Sequence, residues 1–290
     1  MSIVTANQIG ERGQMGNQLF QIATVLGVAK KNGIQPVFPE KIRELSLNKV
    51  FDLRIETKDF PVDVTIPERD NYEDIQIPAD GRVYSISGYR QSYLYFNNID
   101  LSKYIQIHPY HLSLPKKYIG IHIRRGDYVN SSWIRQLSQM VDIPTRCELQ
   151  YYQQAIKRIH TEYGKIPVII CTDDRKWAQE HLQEIDSTAI LNPDPNLDFQ
   201  CLYQAPYLII PNSTFSWWAG YLGQHKVVIS PSYWWHPNGI LSRMFGLNQQ
   251  LICPSSWIFL HPVTGEITES FNWTPQESQW PHWLRGFFTS

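Results

Sequence analysis

Arg124 and Arg125 stand side by side after an apolar run, Tyr118 to Ile123, and Gly126 and Asp127 follow them. Two neighbouring guanidiniums offer rigid forks of N–H donors that fit the paired oxygens of a phosphate or carboxylate, a fit lysine cannot copy. A glycine beside them lets the backbone turn sharply or lets a ligand come close. An Arg–Asp surface pair in a loop is the other reading of the same residues. Asp173-Asp174 closes a second apolar run, Pro167 to Cys171, and Asn212-Ser213-Thr214 closes a third, Tyr207 to Ile210. An aspartate ahead of a helix is also an ordinary N-cap. The chain contains no Asp-x-Asp, and two arginines could neutralise a diphosphate without a divalent cation, so no metal or other cofactor is expected.

The elements that must position these groups can be read from periodicity. Tyr118–Ile123, Pro167–Cys171, Ala189–Leu191, Tyr207–Ile210 and Val227–Ile229 read as short buried strands. Helical spacing covers Glu148–Tyr163, Arg175–Glu184 and Phe199–Ala205, and a further helix is expected from about Phe215. Strands alternating with helices argue for βαβ units and a parallel sheet, whose ligands bind beyond the carboxyl ends of the strands. The arginines, the aspartates and the Asn-Ser-Thr run should then gather on one edge. Nearer the start, Ile3–Thr5 reads as a strand and Asn17 to Lys31 as a helix, with Gly33 as its C′ residue. Between them, Gly13-Gln14-Met15-Gly16-Asn17 is either an ordinary βα turn or a phosphate cradle, because helix N-termini expose free N–H groups and partial positive charge. A strand over Val83–Tyr89 leads into Gln91 to Phe96, expected to enter a helix.

Composition narrows the classes. A formal net charge of −1 over 290 residues gives no general basic field for nucleic acid. Four widely spaced cysteines form no C-x-x-C pair and point to neither a disulfide framework nor a zinc site. The first residues lack a basic-then-apolar leader, and no run reaches the roughly 18 apolar residues of a membrane span. The cytoplasm is therefore the expected location.

Together, G13-Q-M-G16-N17-Q18-L-F20-Q21, G88-Y-R-Q91-S92-Y-L-Y95-F96, H122-I-R124-R125-G126-D127-Y128, T172-D173-D174 and N212-S213-T214-F215-S216-W217-W218 resemble the α-1,2-fucosyltransferase family, glycosyltransferase family 11. The first block departs from the family's usual Gly-Gly-Leu-Gly-Asn. The resemblance implies a GT-B-like α/β fold of two facing Rossmann-like domains with a cleft between them. The expected units are residues 1–115 on the acceptor side, residues 116–235 for the donor, and a segment 236–290 returning to the first unit. It further implies GDP-fucose as donor substrate, inversion at the fucose anomeric carbon, and a galactose-terminated oligosaccharide as acceptor at its 2-hydroxyl. A lipid-linked acceptor would bring peripheral membrane contact.

By the same resemblance, His122 and Asp198 contact guanosine, and Arg124 and Arg125 hold the diphosphate. Gly16 and Asn17 face that diphosphate from the first unit, and Asp173 lies at the nucleotide edge. Ser213, Thr214 and Ser216 line the phosphate and fucose site. Asp127 is a candidate general base, although flanking guanidiniums weaken a carboxylate as a base. Trp217, Trp218, Trp234, Trp235, Gln91 and Tyr95 are candidates for the acceptor side, the tryptophans being equally suited to the core. Another GDP-fucose transferase, α-1,6 or protein O-fucosyl, and a non-catalytic sugar- or nucleotide-binding protein are the alternatives.

Overall fold

The computed structural model describes residues 1–68, 72–110, 112–125, 146–182, 188–191, 194–234 and 252–268. Gly126 to Asp127, Trp235, and residues 236–251 and 269–290 of the expected C-terminal segment lie outside them. The described elements are β1 (Ile3–Thr5), α1 (Met15–Asn32), β2 (Gln35–Pro36), β3 (Phe51–Leu53), β4 (Val64–Ile66), β5 (Val83–Ile86), β6 (Ile105–Ile107) and β7 (Ile119–Ile123). They continue with α2 (Leu149–Tyr163), β8 (Val168–Thr172), α3 (Arg175–Leu182), β9 (Thr188–Ile190), α4 (Pro195–Gln204), β10 (Tyr207–Ile209), α5 (Thr214–Leu222), β11 (Val227–Pro231) and β12 (Ile258–Leu260).

Two parallel sheets organise them, one in each of the two expected α/β units. The first runs β2-β1-β5-β4 and the second β12-β11-β10-β7-β8-β9, with a small antiparallel β3–β6 pair beside them. Counted from β7, the second sheet has the order 3-2-1-4-5-6 of a doubly wound dinucleotide fold. The strand order reverses between β7 and β10, the point beyond whose carboxyl ends such sheets bind their ligands. In the first sheet β1 lies between β2 and β5.

Strand periodicity explains what each face does. Ile119, Ile121 and Ile123 point to one face of β7 and pack with Tyr151, Ala155 and Ile159 of α2. Gly120 and His122 point to the other, where a Cβ on Gly120 would lie 2.7 Å from Ala205 Cβ. All five residues of β7 are buried, as a central parallel strand requires.

A continuous apolar core joins the two units. Phe20 of α1 lies 4.5 Å from Trp217 and 5.0 Å from Trp218, ring centre to ring centre, and Phe96 stacks on Trp218 at 5.4 Å. Helix α1 ends as expected, with Gly33 in the left-handed region at φ 63° and its N–H on Ala29 O. Two expectations are corrected. Residues 91–96 give only a 3-10 turn, Tyr93–Tyr95. Helix α4 begins at Pro195, not Phe199, because Asp194 caps it through Asn196 N and Leu197 N and proline sits at its first position. Of the expected C-terminal segment, only residues 252–268 are described, and they lie beside the second sheet. Their β12 extends the second sheet beside β11, and Trp217 Nε1 donates to Ile252 O at 3.1 Å.

Candidate functional site

The loop after β7 carries Arg124 and Arg125, and the loop after β8 brings the aspartates beside them. Arg124 Nη1 lies 2.8 Å from Asp173 Oδ2, while Asp173 Oδ1 accepts from Arg125 N at 2.8 Å. Asp173 thus sets the direction of one guanidinium and the backbone of the other. It was expected at the nucleotide edge; in the structure its carboxylate is occupied by the arginines. Asp174 fills both roles its position allowed. Its Oδ1 accepts from Trp177 N at 3.1 Å, capping α3, and its Oδ2 accepts from Arg125 Nε at 3.1 Å.

Arg125 is 9% exposed, and its guanidinium carbon sits 4.2 Å from the centre of the Trp177 ring. A carboxylate on one edge and an aromatic face against the plane fix the fork, leaving its Nη atoms without a described partner. Trp177 escaped sequence reading; the signal for it was an aspartate three residues ahead, which caps the helix that carries it.

Beyond β10 the backbone enters α5 through Asn212 and Ser213. Asn212 is buried, and its Nδ2 donates to Trp234 O at 3.1 Å. Ser213 and Thr214 are half-buried at the helix N-terminus. Ser216 was expected to line the site but has no exposed surface. Its hydroxyl lies 2.9 Å from His122 Nδ1 and 3.3 Å from Ser213 O, so it sits behind His122 and holds that ring. Burial, with Arg124 nearby, pushes His122 down to about 3. A neutral imidazole therefore stands next to the two arginines. Asp198 lies in the first turn of α4, and its Oδ1 is buried without a described partner. Burial pushes its carboxyl up to about 7.

The first unit closes the arrangement. A Cβ on Gly16 would lie 2.5 Å from Thr214 Oγ1, so only glycine allows the N-terminus of α1 to meet the N-terminus of α5. Trp218 Nε1 donates to Gly16 O at 2.8 Å across the same contact. Gly13 takes φ +76°, and a side chain there would strike Tyr89 and Asn17. Asn17, half-buried in the first turn of α1, accepts from Gln91 Nε2 at 2.7 Å through Oδ1. Two helix N-termini therefore meet beyond β10, the strand paired with the one that leads to the two arginines. Aligned peptide dipoles and free N–H groups favour negative charge there.

Of the residues proposed from sequence, His122, Arg124, Arg125, Asp173, Gly16, Asn17, Ser213, Thr214 and Ser216 are linked by these contacts. Asp198 stands on the neighbouring helix, and Asp127 is outside the described residues. Trp217 and Trp218 are fully buried and Trp234 nearly so, which makes them core residues. Tyr95 is buried with its hydroxyl accepting from Glu73 N and Arg90 Nη1, so it too serves packing. The four cysteines are buried and free, and burial pushes Cys253 up to about 12.

Among known proteins, the chain is 23% identical to galactoside alpha-(1,2)-fucosyltransferase 2 of Pongo pygmaeus, over 80% of this chain and 72% of that protein. It is 27% identical to an alpha-1,2-colitosyltransferase of Escherichia coli, over 48% of this chain and 46% of that protein. The crystal structure of NodZ alpha-1,6-fucosyltransferase soaked with GDP-fucose superposes with a TM-score of 0.49 at 15% identity, over 76% of this chain and 92% of that one, a likeness too loose to argue from. The pattern of glycosyl transferase family 11 matches residues 2–239. On that match, the chain belongs to glycosyl transferase family 11.

Proposed function

We propose that this protein transfers L-fucose from GDP-fucose to the 2-hydroxyl of a terminal β-galactose on an oligosaccharide, with inversion and without a metal ion. The observation that carries the reading is the Arg124–Arg125 pair, held by Asp173 and Asp174 at the strand-order reversal of the second sheet, where the neighbouring strand β10 leads into the N-terminus of α5. Cleavage of the bond between fucose C1 and the β-phosphate oxygen leaves both bonding electrons on GDP. Donors fixed in advance at that oxygen stabilise the growing charge with little reorganisation. The galactose oxygen forms the new bond to C1 and releases its proton. Asp127 is the proposed acceptor of that proton. If the fucosyl group carries much positive charge in the transition state, a weak base suffices.

His122 and Asp198 are proposed to hold the guanine-bearing end. A neutral His122 and an Asp198 oxygen without a partner among the described residues support that reading. A colitosyl donor is the second reading, favoured by the similarity to the alpha-1,2-colitosyltransferase. Calorimetric titration tests the donor: GDP and GDP-fucose should bind while UDP and ADP do not, and turnover should be unchanged in EDTA. Equal binding of all three diphosphates would remove the guanosine assignment, and loss of turnover in EDTA would remove metal independence.

A further inference from the structure

Strands β1 and β5 are parallel neighbours in the first sheet, and the loops that leave their carboxyl ends are the glycine loop and the turn Gly88–Gln91. In this turn Arg90 adopts φ 52°, the one positive φ at a non-glycine position among the described residues. A bulky side chain in the left-handed region persists only where its surroundings over-determine it. Here they do. Arg90 is 3% exposed, paired to Glu73 at 2.7 Å, and donates to Ser87 O at 3.1 Å and to Pro67 O. Glu68 Oε1 accepts from both Tyr89 N, at 2.7 Å, and Arg90 N, at 3.0 Å. Gln21 Nε2 ties Gly88 O to α1 at 3.1 Å.

This scaffold turns the arginine inward and leaves its two neighbours against the glycine loop and the start of α1. Tyr89 is half-exposed, its ring edge lies against Gly13, and its hydroxyl has no described partner. Gln91 spends its NH2 on Asn17 and keeps its oxygen without a described partner. An aromatic face beside a fixed amide oxygen suits a pyranose, which presents one apolar C–H face and a rim of hydroxyl donors. The contacts run from Tyr89 and Gln91 through Gly13 and Asn17 to Gly16 and Thr214.

We propose that Tyr89 and Gln91 form the acceptor subsite, the Tyr89 ring covering the apolar face of the accepting galactose and Gln91 Oε1 accepting from one of its hydroxyls. The assignment of galactose rests on the function proposed above; the assignment of a sugar to this turn rests on the turn itself.

The test uses the full chain and reads acceptor and donor separately. Binding of lactose and of a β1,3-linked galactoside, with GDP present, is followed by saturation-transfer NMR. Acceptor KM and kcat are measured at saturating GDP-fucose, and GDP affinity by calorimetry. Tyr89→Leu should weaken galactoside binding and raise acceptor KM about tenfold, with kcat changed less than about threefold and GDP affinity within about twofold. Tyr89→Phe keeps the ring and should stay within about threefold of the parent, which separates stacking from a folding defect. Gln91→Ala should raise acceptor KM about fivefold or more. Unchanged acceptor binding in Tyr89→Leu, or an equal loss of GDP affinity, would overturn the subsite. So would a parent protein that binds neither galactoside. Sugar binding that depends on Tyr89 without any transfer would support the subsite and defeat the transferase reading instead.

Discussion

Trp218 donates its indole N–H to the carbonyl of Gly16 at 2.8 Å, joining a helix of the second unit to the glycine loop of the first across 202 residues of sequence. The bond lies at the point where the N-termini of α1 and α5 meet, so it ties the two units together there. Trp218→Phe keeps most of the ring and strands the carbonyl, at a cost of about 1–3 kcal/mol. Trp218→Ala removes a fully buried indole and should cost about 3–5 kcal/mol. Urea unfolding measures both, and Trp218→Phe should also weaken GDP binding under conditions where it remains folded.

The arginine fork is the second point of test. Arg124→Ala should lower kcat/KM about 30-fold or more, because a charged donor is lost where charge develops. Arg124→Lys should recover only part of this, since an ammonium lacks the planar fork. Trp177→Leu removes the face against which Arg125 lies at 4.2 Å and should lower GDP affinity, while Trp177→Phe should restore most of it. Steady-state kinetics together with calorimetry would read both effects.

His122 makes stability depend on pH in a definite direction. Its folded-state value of about 3 lies below the ordinary 6.5, so between those values the unfolded chain binds the extra proton. The stabilisation is complete above 6.5 and is lost as pH falls towards 3. Urea midpoints measured from pH 7 to pH 4 should fall more steeply for the parent than for His122→Gln; parallel curves would contradict the buried neutral imidazole.

Asp198 behaves in the opposite sense. Its folded-state value of about 7 exceeds the ordinary 3.8, so stability declines as pH rises through that window. If its carboxylate accepts from guanine, GDP affinity should rise as pH passes through 7. Asp198→Asn should bind GDP more weakly and without that rise, a comparison calorimetry at pH 6 and pH 8 can make.

Much of this was legible in the sequence for physical reasons. Strand β7 and strand β8 are unbroken apolar runs ending in charge, which is how central parallel strands must look, and the residues after them fell where the strand ends put them. Helix α1 was marked at its C-terminus by Gly33. What escaped notice depends on long-range partners. Arg90 carries no local sign that Glu73 and Pro67 will hold it in a left-handed conformation. Ser216 was read with its neighbours as a lining residue, yet helix geometry turns it inward onto His122. Strand β12 has three residues and forms only because β11 already offers an edge.

The most direct measurement is release of GDP from GDP-fucose with and without lactose, followed by NMR of the product. Release that requires the galactoside, with fucose found in α linkage to the galactose 2-position, is the expected result. Failure to bind GDP-fucose, or a product linked elsewhere on the sugar, would contradict the arginine fork or the α-1,2 assignment respectively.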